Sequence, residues 1–341
     1  MPKRAILLLA HGTPSNVAEI PEYLRNVVSG RAMPQHVIEE IQHRYSLIGE
    51  PKGHSPLTDL TMDQAALLEA ALAEVEAGQS GEPVRVYVGM RNWRPYIADT
   101  VKQMRADGVE AAAVLCLAPQ NSRTSVGLYR RAALAEAAGM PMDFLEGWAD
   151  EPLLADAFAD RLRPTLQSLS RETGAPVPVI FTAHSVPCRT IQVAAVSEGQ
   201  PILWPTGPVP SPDPYAIEAK RTAAHVAQRV PEIPAWYFAF QSQGASGGPW
   251  IGPGVEATLD ALAEEGAKAV VLQPIGFLCD HVEILYDIDI AFREYAEKLG
   301  MRLERPESLN ASPLLTRALV KLARAGLARL EAQSALPIGQ A

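Results

Sequence analysis

Short apolar runs rich in β-branched residues recur along the chain. They alternate with longer stretches in which apolar positions return every three or four residues. The short runs predict strands at Ala5–Ala10, Val84–Val88 and Ala111–Leu117 in the first half, and at Val177–Thr182, Ala235–Phe240 and Ala269–Pro274 in the second. The longer pattern predicts helices over Leu60–Glu76, Pro95–Asp107 and Val255–Glu265, and another from Ile284 to Leu299. Strand–helix alternation of this kind is the signature of α/β architecture, with parallel sheets flanked by helices. Near the end, Pro313–Leu330 interleaves Arg317, Lys321, Arg324 and Arg329 with Leu and Val. This pattern predicts a helix packed on the body, with transient membrane-surface contact as the lesser alternative.

The two halves echo each other. Ala10-His11-Gly12-Thr13-Pro14 follows the first strand, and Ala183-His184-Ser185-Val186-Pro187 follows the strand that opens the second half. Pro95, Thr100 and Gly108 recur as Pro253, Thr258 and Gly266 at one constant offset, each set ahead of a strand. Two matches in the same order predict a duplicated lobe. The expected division is an N-terminal lobe over 1–165, a C-terminal lobe over 166–312, and a C-terminal helix and tail over 313–341. In parallel sheets ligands bind beyond the carboxyl ends of the strands. His11 and His184 are therefore expected to face a cleft between the lobes, rather than merely cap their strands.

Composition narrows the function. The 341 residues are 48% hydrophobic, enough for sizeable cores, and the net charge of −9 argues against nucleic-acid partners. Cys116, Cys188 and Cys279 are widely spaced, which indicates neither a zinc ribbon nor a disulfide framework and suits a reducing cytoplasm. Lys3-Arg4 followed by Ala5–Ala10 is too short an apolar run for a signal peptide, and no run approaches the ~18 residues of a membrane span.

Candidate chemistry clusters after predicted strands. Gly276-Phe277-Leu278-Cys279-Asp280-His281-Val282-Glu283 enters a helix on which Glu283 and Asp287, four apart, share a face. Imidazoles and carboxylates at the ends of neighbouring strands suit a borderline metal such as Fe(II), and they can also handle protons. Ser185 lacks a Gly-x-Ser-x-Gly elbow, and Gly244–Gly248 lacks the spacing and lysine of a phosphate loop. Arg25, Arg31, Arg44, Arg91, Arg94, Arg123 and Arg130 fall near predicted loops. A few of them beside Tyr23, Tyr45, Trp93 and Tyr129 would hold a flat apolar ligand bearing carboxylates.

At this point the chain resembles the ferrochelatase family over nearly its whole length. The resemblance rests on Phe181-Thr-Ala-His184-Ser-Val-Pro187, Asp213-Pro214-Tyr215, Gln241-Ser242-Gln243-Gly244 with Pro249-Trp250-Ile251-Gly252-Pro253, and Asp280–Tyr286. Arg44-Tyr45, Ser55-Pro56-Leu57, Gly89-Met90-Arg91 and Leu117-Ala118-Pro119 add to it. The resemblance implies two Rossmann-like lobes with a porphyrin cleft between them, and Fe(II) insertion with release of two protons. It makes His184 and Glu283 the catalytic pair and the residues that meet the metal. It implies porphyrin contacts at His11, Thr13, Arg31, Arg44, Tyr45, Ser55 and Tyr129. Porphyrin, haem and ferrous iron are the implied partners, in the cytoplasm. No cofactor beyond the substrate iron and no iron–sulfur cluster is expected. Coproporphyrin III is favoured, and protoporphyrin IX stays open. Sirohydrochlorin-type cobalt or iron chelation and non-catalytic haem binding are the alternatives.

Several positions depart from the family. His11 stands where some coproporphyrin-type members carry Tyr, and Ala-His-Gly resembles the opening of sirohydrochlorin chelatases. His11 is therefore expected to be an axial ligand to product iron, opposite His184. Ala291 replaces the next acidic step after Asp287, which counts against a second metal site there. Val28 stands where Arg is frequent. A Pro-rich insertion, Val193 to Ser211, is either a lid or a surface loop.

Overall fold

The computed structural model describes residues 3–76, 83–191, 213–243 and 249–334. The insertion at 193–211 and the glycine-rich stretch 244–248 lie outside the described residues. The first half runs β1 (Arg4–Ala10), α1 (Ile20–Val27), α2 (Gln35–Ser46), α3 (Leu57–Glu76), β2 (Arg85–Met90), α4 (Ile97–Ala106), β3 (Ala111–Cys116), α5 (Val126–Glu136) and β4 (Met142–Leu145). The helix α6 (Pro152–Thr173) leads into β5 (Val179–His184), α7 (Cys188–Ile191), α8 (Tyr215–Arg229), β6 (Trp236–Gln241), α9 (Val255–Glu264), β7 (Ala269–Pro274), α10 (Val282–Leu285), α11 (Arg293–Lys298), β8 (Arg302–Glu304) and α12 (Pro313–Ser334).

Each half forms a four-stranded, all-parallel sheet, and the two sheets have the same strand order: β2-β1-β3-β4 and β6-β5-β7-β8. The inner strands read as unbroken apolar runs because helices cover both sheet faces. In β3, β7 and all of β1 but Arg4, every residue is buried. The repeated Pro–Thr–Gly pattern has a common structural meaning. The Pro95 carbonyl accepts from Met90 N–H, and the Pro253 carbonyl accepts from Phe240 N–H, each at 2.7 Å. Gly108 and Gly266 then end α4 and α9 with φ of 78° and 89°. Only glycine adopts that left-handed turn without a Cβ penalty.

Two short edge strands, β4 and β8, escape the sequence pattern. Neither is fully buried, and each carries a charge, so neither reads as an apolar run. The helix expected from Ile284 to Leu299 is a second departure. It is split into α10, a π-helical segment at Asp287–Phe292, and α11. The extra residue in the π turn keeps Ile288 and Phe292 in the core, while Asp287 and Asp289 reach separate partners.

The lobes are not separate bodies. One apolar cluster contains Ile6, Leu8 and Leu115 of the first sheet together with Val179, Phe181 and Val271 of the second. Residue 165, the expected boundary, falls inside α6. α12 packs back on β3, β4, α3 and α6. Arg329 pairs with Asp143 there, and Gly326 sits against Ala113. Among the described residues no helix is long and apolar enough to cross a membrane.

Candidate active site

The order 2-1-3-4 places the point where the crossovers diverge beside β1 in one sheet and beside β5 in the other. Both points open on one cavity of about 1230 Å³, mouth included. His11, one residue beyond β1, and His184, the last residue of β5, both line it. The loop from Gly276 to Glu283 closes the wall after β7, and Leu117 and Ala118 do so after β3. Ser185 points the opposite way, fully buried, and donates to the Ile251 carbonyl at 2.8 Å. That geometry disposes of serine chemistry.

Three ionisable side chains form a chain along the second-lobe wall. Glu283 Oε1 lies 3.3 Å from His184 Nε2, and its Oε2 lies 3.5 Å from His281 Nε2. Each imidazole aims its other nitrogen at a backbone carbonyl: His184 Nδ1 at Ser185, and His281 Nδ1 at Cys279 (2.9 Å). A carbonyl can only accept, so Nδ1 carries the hydrogen in both rings. In the neutral ring, Nε2 is then the basic nitrogen, and in both cases it faces the carboxylate. Desolvation opposes charge on His184 and Glu283, but their mutual attraction and hydrogen bonding outweigh it. His184 is raised above its ordinary 6.5 with help from the Ser185 carbonyl, and Glu283 is held well below the carboxylate range with help from His281.

Several contacts hold this array. Tyr215 OH donates to the His184 carbonyl at 2.9 Å, and Gln241 Nε2 donates to the Glu283 carbonyl at 2.7 Å. Asp213 accepts from Tyr215 N–H at 3.0 Å and, across the lobes, from Arg123 N–H at 2.8 Å. The Asp-Pro-Tyr motif is thus both the start of α8 and a tie between lobes. Gln120, buried in the loop after β3, adds a second tie through Thr222 Oγ1 and the Ile275 carbonyl. Asp287 accepts from Ser242 Oγ and lies 3.6 Å from Arg44. Desolvation and the nearby Glu283 charge push its carboxyl up to about 6.

The first-lobe wall differs in character. His11 is open to the cavity, and its Nε2 meets Tyr23 OH at 2.9 Å and Asn92 Nδ2 at 3.1 Å. Desolvation within the cleft, helped by His281, Arg91 and His184, lowers its pKa to about 4. The ring is therefore neutral at pH 7. Thr13 and Tyr129 also line the cavity, as do Ser122, Thr124 and Ser125.

Four residues expected at the porphyrin lie outside that lining. Tyr45 is buried with Ile20, Tyr23 and Trp93, and Ser55 is buried against Thr13 at 2.9 Å. Arg31 is exposed and donates to the Val28 carbonyl, while Arg44 pairs with Glu40 and stacks on Tyr286. Among the described lining residues there is no Arg or Lys. His281, Asn92 and the buried Gln64 and Gln120 were not singled out as functional by sequence reasoning. His281 and Asn92 follow strand ends, a signal that could have found them. Gln64 sits within a helix and carries no such signal. Among the described residues no group of three or more His, Cys, Asp or Glu side chains is arranged to hold a metal by itself.

The fold is that of a two-lobed α/β protein with one cavity at the carboxyl ends of both sheets. The sirohydrochlorin chelatase SirB of Bacillus subtilis subspecies spizizenii, solved with cobalt, superposes with a TM-score of 0.54 at 11% identity, over 97% of this chain and 98% of its own. At that identity the likeness is one of fold. The family follows from sequence. The model of the family described as Ferrochelatase matches residues 3–327. A protein named Ferrochelatase from Acidobacterium capsulatum is 62% identical over 98% of this chain and 97% of its own length. A coproporphyrin III ferrochelatase from Geobacillus kaustophilus is 33% identical over 93% and 94%. The chain belongs to the ferrochelatase family and is a metal-chelatase enzyme.

Proposed function

We propose that this enzyme inserts Fe(II) into coproporphyrin III, in preference to protoporphyrin IX, as a step of haem biosynthesis in the cytoplasm. The observation that carries the reading is the His184–Glu283–His281 array facing His11 across one cavity. A free porphyrin must lose two pyrrole protons as iron enters. Two Nε2 atoms flanking one carboxylate supply two basic nitrogens beside a fixed counter-charge. His184 takes up a pyrrolic proton, and Glu283 stabilises the imidazolium and passes protons toward His281. Before its Nε2 is protonated, His184 could receive the incoming iron together with Glu283, from where it would pass to the ring nitrogens. His11, neutral, suits an axial ligand from the opposite lobe once its bond from Asn92 Nδ2 gives way to the iron. No resident cofactor enters this scheme.

Two things support the larger carboxylate load of coproporphyrin. One is the group of hydroxyl-bearing residues Ser122, Thr124 and Ser125 along one stretch of the cavity wall. The other is the similarity to relatives named coproporphyrin III ferrochelatase. The test is steady-state Fe(II) insertion with both porphyrins, for wild type and His184→Ala. Expected are a kcat/KM at least about tenfold higher for coproporphyrin, as polar discrimination supplies, and near-complete loss in the variant. A preference for protoporphyrin overturns the ring assignment, and binding without turnover overturns the activity. In His11→Ala the haem absorption spectrum is expected to change; an unaltered spectrum removes the ligand role.

A further inference from the structure

Glu283 sits in a segment with little regular structure to hold it. α10 has four residues, the π turn follows at once, and the preceding stretch from Gly276 to Asp280 is loop. The two flanks of this segment nevertheless converge on one side chain. Arg305, just past β8, donates from Nε and Nη2 to the two oxygens of Asp289, each at 2.7 Å. Its Nη1 lies 3.3 Å from Asp280 Oδ1. The same Nη1 also donates to Ser308 Oγ and the Pro306 carbonyl. Ser308 Oγ donates on to Asp280 at 2.6 Å, and Asn310 holds the other Asp280 oxygen at 2.9 Å. Only a tenth of the Arg305 side chain is exposed, and it does not line the cavity.

We propose that Arg305 is a positioning residue for the metal-insertion reaction: its guanidinium fixes Asp280 and Asp289 at a set spacing and so holds Glu283 between His184 and His281. The inference rests on the assignment of Glu283 made above. The physical argument is the fork. A planar guanidinium grips one carboxylate through two parallel N–H bonds and still has a third donor group for a second carboxylate. Asp280 lies three residues before Glu283, and Asp289 six after it. With Asp289 gripped by the fork, and Asp280 paired with the same guanidinium and tied to it through Ser308, the intervening turn has little room to rotate the carboxylate away from the imidazoles. Lysine offers a point charge without the fork and cannot set that spacing. Sites of this kind depend on a supporting shell that holds reacting groups to about half an ångström.

The experiment compares Arg305→Gln, Arg305→Lys, the double variant Arg305→Gln with Asp289→Asn, and Glu283→Gln, in the full-length enzyme with Fe(II) and porphyrin. The double variant removes the buried charge that the single variant leaves unpaired, so it keeps the test open where the single variant does not fold. Expected for Arg305→Gln is a kcat at least about tenfold lower with porphyrin KM within about twofold, because a misplacement near 1 Å costs on the order of a hundredfold. Arg305→Lys falls between. In the double variant the melting temperature recovers and kcat does not. A kcat that returns with the melting temperature, or an Arg305→Gln enzyme of normal kcat, makes Arg305 purely structural and overturns the proposal. Glu283→Gln separates the two claims. Full activity there overturns the Glu283 assignment itself, whereas an inactive Glu283→Gln beside a fully active Arg305→Gln overturns the positioning role alone.

Discussion

Gly276 offers a direct measure of how finely the cavity wall is set. It lines the cavity after β7, and its φ is not left-handed, so alanine meets no backbone penalty there. A Cβ at that position would lie 2.8 Å from Ala183 Cβ and 3.0 Å from Ala183 Cα. Ordinary contact begins at 3.4 Å, so the neighbours must part by about 0.6 Å. Ala183 is fully buried in β5 and precedes His184, so the displacement falls on His184 or on the loop bearing His281 and Glu283. Overpacking of this size costs about 1–3 kcal/mol of stability. A shift approaching 1 Å among reacting groups costs up to about a hundredfold in rate. Gly276→Ala is therefore expected to lower kcat about ten- to a hundredfold and the melting temperature by several degrees. The control is Gly326→Ala, where the new Cβ would lie the same 2.8 Å from Ala113 Cβ, but on α12 and outside the cavity lining. It is expected to lower the melting temperature with kcat unchanged. Steady-state porphyrin metallation and thermal melts of both variants decide the matter. Equal effects of the two substitutions on kcat, or none from Gly276→Ala, would refute the reasoning.

Three further outcomes are expected. The His184–Glu283 pair makes stability depend on pH. The raised imidazole contributes fully below its ordinary 6.5 and loses its effect as pH rises through its higher folded value. The depressed carboxylate contributes fully above its ordinary 4.5 and loses its effect as pH falls through its lower folded value. The pair's stabilisation is therefore greatest between pH 4.5 and 6.5 and falls away on either side, and melts of Glu283→Gln from below to above that range are expected to show a flatter dependence. Asp213→Ala removes a start-of-helix acceptor and an interlobe bond together, which costs about 2–4 kcal/mol, to be read from denaturant unfolding. Alkylation at pH 8 followed by peptide mass mapping is expected to label half-buried Cys188 first, because burial pushes Cys116 and Cys279 up to about 12.

Much of the fold was legible because its inner strands are buried on both faces and therefore spell continuous apolar runs. β1, β3 and β7 read directly from such runs. β4 and β8 did not, since an edge strand can carry an Asp143 paired with Arg329 or an exposed Arg302. The break after α10 was illegible for another reason. A π turn leaves the spacing of Ile284, Ile288 and Phe292 looking like an ordinary helix. At the site, His11, His184 and Glu283 stood out because their types are rare after apolar strands. The arginines were less legible, because an Arg near an aromatic pattern reads the same whether it faces a cavity or, like Arg44, pairs with Glu40 and Asp287.

The return of α12 to the first sheet bears on how the protein is made. Synthesis delivers β1 to β4 early, yet the face of β3 and β4 that α12 covers stays bare until residues 313–334 leave the ribosome. The half born first is therefore finished last. Chains interrupted before that point would carry a solvent-facing apolar sheet, a natural handle for chaperones and proteases.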